Sequence, residues 1–153
     1  MKAKHIATGL LLAFVAASVA VLVAKEVRRA GPQAGPPAGG PAHRLVAYYF
    51  HPNKRCASCM KIEAMAHEAL FEGFPEAAKD GRIEWHVLNY EEPANRHFVK
   101  DFDIAASTVV LVEIRDGKPA RSQNLEQVWD YLDDRAAFLK FVRGVAAAFL
   151  KEG

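Results

Sequence analysis

From residue 45 onward, apolar and polar positions alternate in segments whose periods differ. Leu45–Phe50 (LVAYYF) is a short β-branched and aromatic run, a buried strand by length and type. His51–Arg55 is a polar turn. From Cys56 to about Phe71 apolar residues recur at helical spacing, with Cys59, Ile62, Met65, Ala66, Ala69 and Leu70 on one face. Gly73-Phe74-Pro75 disturbs that helix, and Asp80-Gly81 marks a turn. Arg82–Tyr90 (RIEWHVLNY) reads as a second strand. Pro93 suits the first turn of a helix ending near Phe102. Thr108–Arg115 (TVVLVEIR) is a third strand, Asp116-Gly117 a two-residue hairpin turn, and Pro119–Gln123 a short edge strand returning from it. Leu125–Leu132 gives a helical turn or two. Arg135–Lys151 is a last helix burying Phe138, Phe141, Val142, Val145 and Phe149. The order βαβαββα predicts an α/β domain, a mixed sheet with helices on both faces.

The first 42 residues follow different rules. Ile6–Ala24 is a 19-residue run without a charge, flanked by Lys2 and Lys4 and by Lys25, Arg28 and Arg29. As a helix it would span about 28 Å, close to the apolar thickness of a bilayer. A secretory signal cut after Ala20 would leave Val21–Val23 at the new terminus. The apolar run continues to its basic flank, which favours an uncleaved signal anchor over residues 1–29. A soluble core helix would show a polar stripe, and none exists here. Residues 30–42 (AGPQAGPPAGGPA) have no apolar period and carry helix-forbidding prolines, so they read as a partly extended tether. The folded domain then occupies residues 43–153. These readings predict a single-pass membrane protein with its domain outside the cytoplasm; the alternative is secretion after signal cleavage.

Charge sharpens this division. The net charge is +2, but residues 1–42 hold five Lys/Arg against one Glu, and residues 43–153 hold fifteen against seventeen acids. The basic excess belongs to the tail, which argues against nucleic acid as a partner. Half the chain is apolar and a quarter charged, which excludes wholesale disorder.

The two cysteines carry the candidate chemistry. They stand three apart, Cys56-Ala57-Ser58-Cys59, after a strand and turn and at the start of a helix. There the free backbone N–H groups and the helix dipole favour a thiolate on Cys56, and Lys54 and Arg55 add positive charge beside it. Cys59, one turn on, falls on the core face. The placement makes Cys56 the exposed nucleophile and Cys59 the shielded resolving thiol. A four-cysteine zinc site is impossible with two cysteines. Haem attachment needs His after the second Cys, where Met60 stands. A purely structural disulfide closing so short a loop would constrain the unfolded chain little. A dithiol capturing soft ions such as copper(I) or arsenite remains open, with His51 five residues upstream as a third ligand. His67 lies two turns beyond Cys59, about 12 Å along the axis, and reads as a surface residue; His86 and His97 read as structural. Trp85 and Trp129 read as core or half-buried packing. Tyr48 and Tyr49 alternate, one of them facing the helix.

A CxxC between the first strand and first helix of such an order resembles the thioredoxin superfamily over residues 44–151. More narrowly, YYFHPNKRCASCMKIE, GRIEWHVLNYEEPANRHFV and TVVLVEIRDGK resemble a bacterial thioredoxin-like family carrying the name nitrophenyl compound nitroreductase subunit ArsF. That name is no evidence for nitroreductase chemistry, because the chain has no Gly-rich flavin or nicotinamide pattern. The superfamily resemblance implies thiol–disulfide exchange by Cys56 and Cys59, with a protein disulfide or dithiol as substrate, a protein electron donor or acceptor, and no cofactor. Three positions depart from thioredoxins proper. Arg55 replaces the aromatic residue before the first Cys. Phe50 stands where a buried acid is usual. Ser107-Thr108 occupies the place of the cis-proline, with Thr108 the better match. A trans backbone is expected there, and the two hydroxyls would either open the site to an ion or, for Thr108, simply begin the third strand. Ala57 and Ser58 would tune the reduction potential. Three readings result: an oxidoreductase, a soft-ion binding protein, and a redox-inert interaction module.

Overall fold

The computed structural model describes residues 40–151. The anchor predicted over 1–29 and most of the tether lie outside the described residues. Among those described, no helix is long and apolar enough to cross a membrane.

Four strands form one mixed sheet in the order β2–β1–β3–β4: β1 (His43–His51), β2 (Ile83–Asn89), β3 (Thr108–Arg115) and β4 (Lys118–Asn124). β1 runs parallel to β2 and antiparallel to β3, and β4 pairs antiparallel with β3. The parallel connection needs a crossover, which the helix α1 (Ala57–Phe71) supplies. Because β1 and β3 are central, both read as near-continuous apolar runs, and seven consecutive residues of each are buried.

One face of β1 and β3 presents Leu45, Ala47, Tyr49, Val109 and Leu111 to the main core. α1 meets it with Ile62, Met65, Ala66, Ala69 and Leu70, and with Cys59 the buried set is the six residues its spacing predicts. The alanines bring helix and sheet close together. The last helix, α4 (Arg135–Lys151), packs beside α1 with the bounds expected. Its buried residues are Phe138, Leu139, Val142, Ala146 and Phe149. Phe141 and Val145, expected inside, are only half-buried, because Phe141 turns toward the Tyr131 ring, 5.2 Å away between centroids. Gly73 ends α1 where any Cβ would lie 2.2 Å from the Ala69 carbonyl oxygen, so only glycine fits. Pro75 then opens a one-turn helix, α2 (Pro75–Lys79), where a mere break was expected.

The opposite face is covered more thinly. Tyr48 and Phe50 meet Phe98 at 5.9 and 5.3 Å, and Phe50 meets Phe102 at 6.0 Å. These rings belong to α3 (His97–Asp101) and its C-cap, shorter than the helix expected from Pro93. Residues 93–96 instead form turns, with Asn95 and Arg96 N–H groups both donating to the Glu92 carbonyl. The β3–β4 hairpin turns on Asp116 (φ 50°) and Gly117 (φ 76°), the two left-handed residues a tight hairpin requires. A bulge between Glu113 and Ile114 accommodates Pro119 in the edge strand β4. A short 3-10 helix, Glu126–Trp129, is what becomes of the Leu125–Leu132 helical turn.

Glu113 is buried and clasped by three side chains: His43 Nε2 at 2.8 Å, Arg115 Nε at 2.7 Å and Arg121 Nε at 2.6 Å. Burial pushes its carboxyl up, but the hydrogen bonds from Arg115, His43 and Arg121 outweigh that and hold it below the usual range. Arg121 also lies over the Phe149 ring at 4.1 Å and donates to the Ala148 carbonyl, so the cluster joins β1, β3, β4 and α4.

Candidate redox site

Cys56 is the N-cap of α1, with extended backbone (φ −99°, ψ 164°), and Ala57 is the first helical residue. Its Sγ accepts the Cys59 N–H at 3.1 Å, the position in which a capping Ser or Asp oxygen would sit. The two cysteines are joined in a disulfide with Cα atoms 5.0 Å apart. Cys56 is exposed and Cys59 is buried on the core face. Ala57 is exposed and Ser58 half-buried in the turn between them, and Met60 beside the pair is one of the few large apolar side chains left in solvent.

Tyr49 closes the site from below. It is fully buried, and its hydroxyl donates to the Cys59 carbonyl at 2.6 Å. Burial raises its pKa, while the neighbouring Ser107 hydroxyl and Arg55 guanidinium pull the other way. The phenol therefore stays neutral and keeps its donor proton. Its ring stacks on Trp85, 6.4 Å between centroids and 3° from parallel. The tyrosine facing the helix is thus Tyr49. Tyr48 faces α3, and burial together with the Glu84 charge pushes its pKa up to about 12.

Lys54 and Arg55 differ in what they do. Lys54 is exposed. Arg55 folds over the Tyr49 ring, its guanidinium carbon 5.8 Å from the centroid, and forms an ion pair with Glu63 of α1. Its charge is shared with a carboxylate, rather than wholly available to Cys56 as its place in sequence implied. The loop before Cys56 is latched to the loop after β2. Asn53 N–H donates to Glu91 Oε2 at 2.8 Å, and Asn89 Nδ2 donates to Asn53 Oδ1 at 2.7 Å. Asn95 Nδ2 in turn holds the Asn89 carbonyl at 2.9 Å.

At the start of β3 every described peptide bond is trans. Ser107 joins the site through Tyr49, and its carbonyl accepts from Trp129 Nε1 at 2.9 Å. Of the two readings open for Thr108, the structure shows the strand-starting one: its hydroxyl donates to Asn124 Oδ1 at 2.7 Å and the residue is buried at the start of β3. His51 is half-buried with Nδ1 2.9 Å from the Pro52 carbonyl. Among the described residues, with the two cysteines joined to each other, no group of three His, Cys, Asp or Glu side chains is placed to hold a metal ion. His67 is exposed, stacked on Phe71 at 4.3 Å; His86 stacks on Tyr48 at 5.4 Å, and His97 lies tilted against Phe98 at 4.0 Å.

Glu63 and the Asn53–Asn89–Glu91 latch are the site residues that sequence reading missed. Strand alternation singles out the Tyr pair, but no local pattern links Arg55 to a partner eight residues on.

No family model matches the chain, and no curated protein does. Solved structures similar to it include a thioredoxin from Thermus thermophilus, at 17% identity over 67% of this chain and 74% of that one, with a TM-score of 0.39. Thioredoxin O2 from Arabidopsis thaliana is 14% identical over 63% and 76%, with a TM-score of 0.38. A Fasciola hepatica thioredoxin is 20% identical over 63% and 80%, with a TM-score of 0.34. At such values the likeness adds nothing to what the topology and the cysteine geometry establish themselves.

Proposed function

We propose that the chain is a thioredoxin-like thiol–disulfide oxidoreductase, anchored through residues 6–24 in a bacterial cell membrane with its domain outside the cytoplasm. One observation carries the chemistry: an exposed Cys56 sits at a helix N-terminus with its sulfur accepting an N–H, while its partner Cys59 is buried on the core face. The same N–H would hold a thiolate in the reduced protein. Cys56 Sγ attacks one sulfur of a substrate disulfide, the S–S bond breaks, and the other half leaves as thiolate. Cys59 then gives up its proton, attacks Cys56 Sγ and releases the remaining half. The substrate gains two electrons, the dithiol loses two, and the disulfide seen here is the oxidised product. Run backwards, the same steps oxidise a dithiol. A second protein recycles the pair. The narrower resemblance to the family named for ArsF rests on the three sequence stretches and fits the same exchange chemistry. The anchor rests on the uncharged Ile6–Ala24 run.

The test is trapping in cells. Full-length Cys59→Ser should accumulate mixed disulfides through Cys56 that fractionate with membranes, and Cys56→Ser should accumulate none. Equal trapping by both variants would overturn the assignment of roles, and adducts in the cytoplasmic fraction would overturn the placement.

A further inference from the structure

We infer that Glu63 is a positioning residue that restrains the acidity of the Cys56 thiol by drawing the Arg55 guanidinium away from it. The inference rests on the exchange role just proposed. Arg55 precedes Cys56 directly in the chain, and a cation in that place, left to itself, would favour the thiolate. Its guanidinium instead pairs with Glu63 and lies over Tyr49. Cys56 to Glu63 is seven residues, two helical turns, so the two share a face of α1 about 10 Å apart along the axis. At that distance the carboxylate itself is largely screened from Cys56. The nearer group through which it can act is Arg55.

Other charged groups complete the surroundings. Lys54 precedes Arg55. Lys61 of α1 faces Asp133 at 3.7 Å. Glu91 reaches over from the loop after β2 to the Asn53 N–H. The neutral Tyr49 phenol lies beneath, with the His51 ring 6.1 Å from its own and the Tyr90 phenol near it. None of these besides Glu63 pairs with Arg55 in a salt bridge among the described residues. When the disulfide is reduced, two electrons enter, the S–S bond breaks, and a negative charge develops on Cys56. Glu63 and that thiolate then compete for one guanidinium. Glu63 therefore weakens the thiolate, and by linkage disfavours the reduced pair.

The experiment is the pH profile of Cys56 alkylation in the reduced full-length chain, set beside the redox equilibrium with glutathione. In that equilibrium one protein disulfide and two glutathiones give one dithiol and one glutathione disulfide. Glu63→Gln keeps the side-chain shape. It should move the alkylation midpoint down by about half to one pH unit, the effect of one partly screened unit charge. It should also favour the reduced form about three- to tenfold. The midpoint is the primary reading, because a more acidic thiol is also a weaker nucleophile. In an Arg55→Gln background the Glu63→Gln effect should vanish. A midpoint that stays put or rises in Glu63→Gln overturns the inference. An undiminished shift in the Arg55→Gln background overturns the route through Arg55. Alkylation reports on the thiol even in a protein that exchanges with no disulfide, so failure of the redox reading is distinguishable: glutathione exchange would be absent while the midpoint still moves. Circular dichroism of each variant confirms that it is folded.

Discussion

Tyr49→Phe removes one oxygen atom from a fully buried site and leaves the ring on Trp85. The lost bond, 2.6 Å from the phenol to the Cys59 carbonyl, is short and sheltered from water. A buried neutral hydrogen bond contributes about 1 kcal/mol net, and leaving the buried Cys59 carbonyl one partner short brings the total to about 1–2 kcal/mol. The Cys59 carbonyl keeps its place in the helix ladder, so the cost stops short of a full unsatisfied group. For a domain of this size each kcal/mol moves the melting temperature by about 4–8 °C. A melting temperature lower by roughly 5–15 °C is therefore expected by calorimetry. Because the bond anchors the backbone of the resolving cysteine, a second effect should accompany it. The mixed disulfide between Cys56 and glutathione should close to the internal disulfide more slowly in Tyr49→Phe, several-fold by stopped flow, with Cys56 alkylation unchanged. A variant with wild-type melting and wild-type closure would refute the reasoning, since the phenol would then be holding nothing.

The Glu113 cluster gives a prediction in pH. Its carboxyl is held below the ordinary range, so the stabilisation is complete above the unfolded value of about 4.3 and is lost as pH falls through the folded value. Glu113→Gln should be less stable than wild type at pH 7 and lose less on acidification, so the two urea-unfolding curves should converge below about pH 4. Parallel loss in both proteins would show that the cluster is not the acid-sensitive element. Phe138→Ala should cost about 3–5 kcal/mol by the same denaturation, as for a fully buried aromatic. A loss below about 1 kcal/mol would mean that α4 repacks freely over the sheet.

Where one period dominated, the sequence was legible. The six buried residues of α1, the bounds of α4 and the Asp116-Gly117 turn all follow from short-range pattern, because the physics that selects them acts over four or five residues. Pro93 misled for a related reason. Proline is compatible with both a helix start and a turn, and the polar Glu91–Arg96 stretch found better partners in Asn89 and Glu92 than in helix bonds. Phe141 and Val145 have the right phase for the α4 core, yet Tyr131 supplies a competing contact from the loop before the helix. The cysteine pair and its helix start were legible from spacing alone. What surrounds it was not. The Tyr49 bond to Cys59, the Arg55 pairing with Glu63 and the Thr108 bond to Asn124 depend on which elements meet, and no single stretch of chain records that.

β1 is both the first strand of the domain and a central one, hydrogen-bonded along its length to β2 on one side and β3 on the other. A pull arriving from the chain before Gly40 would load these two ladders along the strand axis, so many backbone bonds would share the force instead of parting one at a time. His43, the first residue of β1, is also tied through Glu113 to Arg121, which reaches the end of α4. Part of any tension arriving at His43 is thereby shared with the far helix. The cysteine pair follows the opposite end of β1 from Gly40. Were the domain held by its N-terminus, as proposed, it would be dragged or jostled while the geometry of its two sulfurs was preserved.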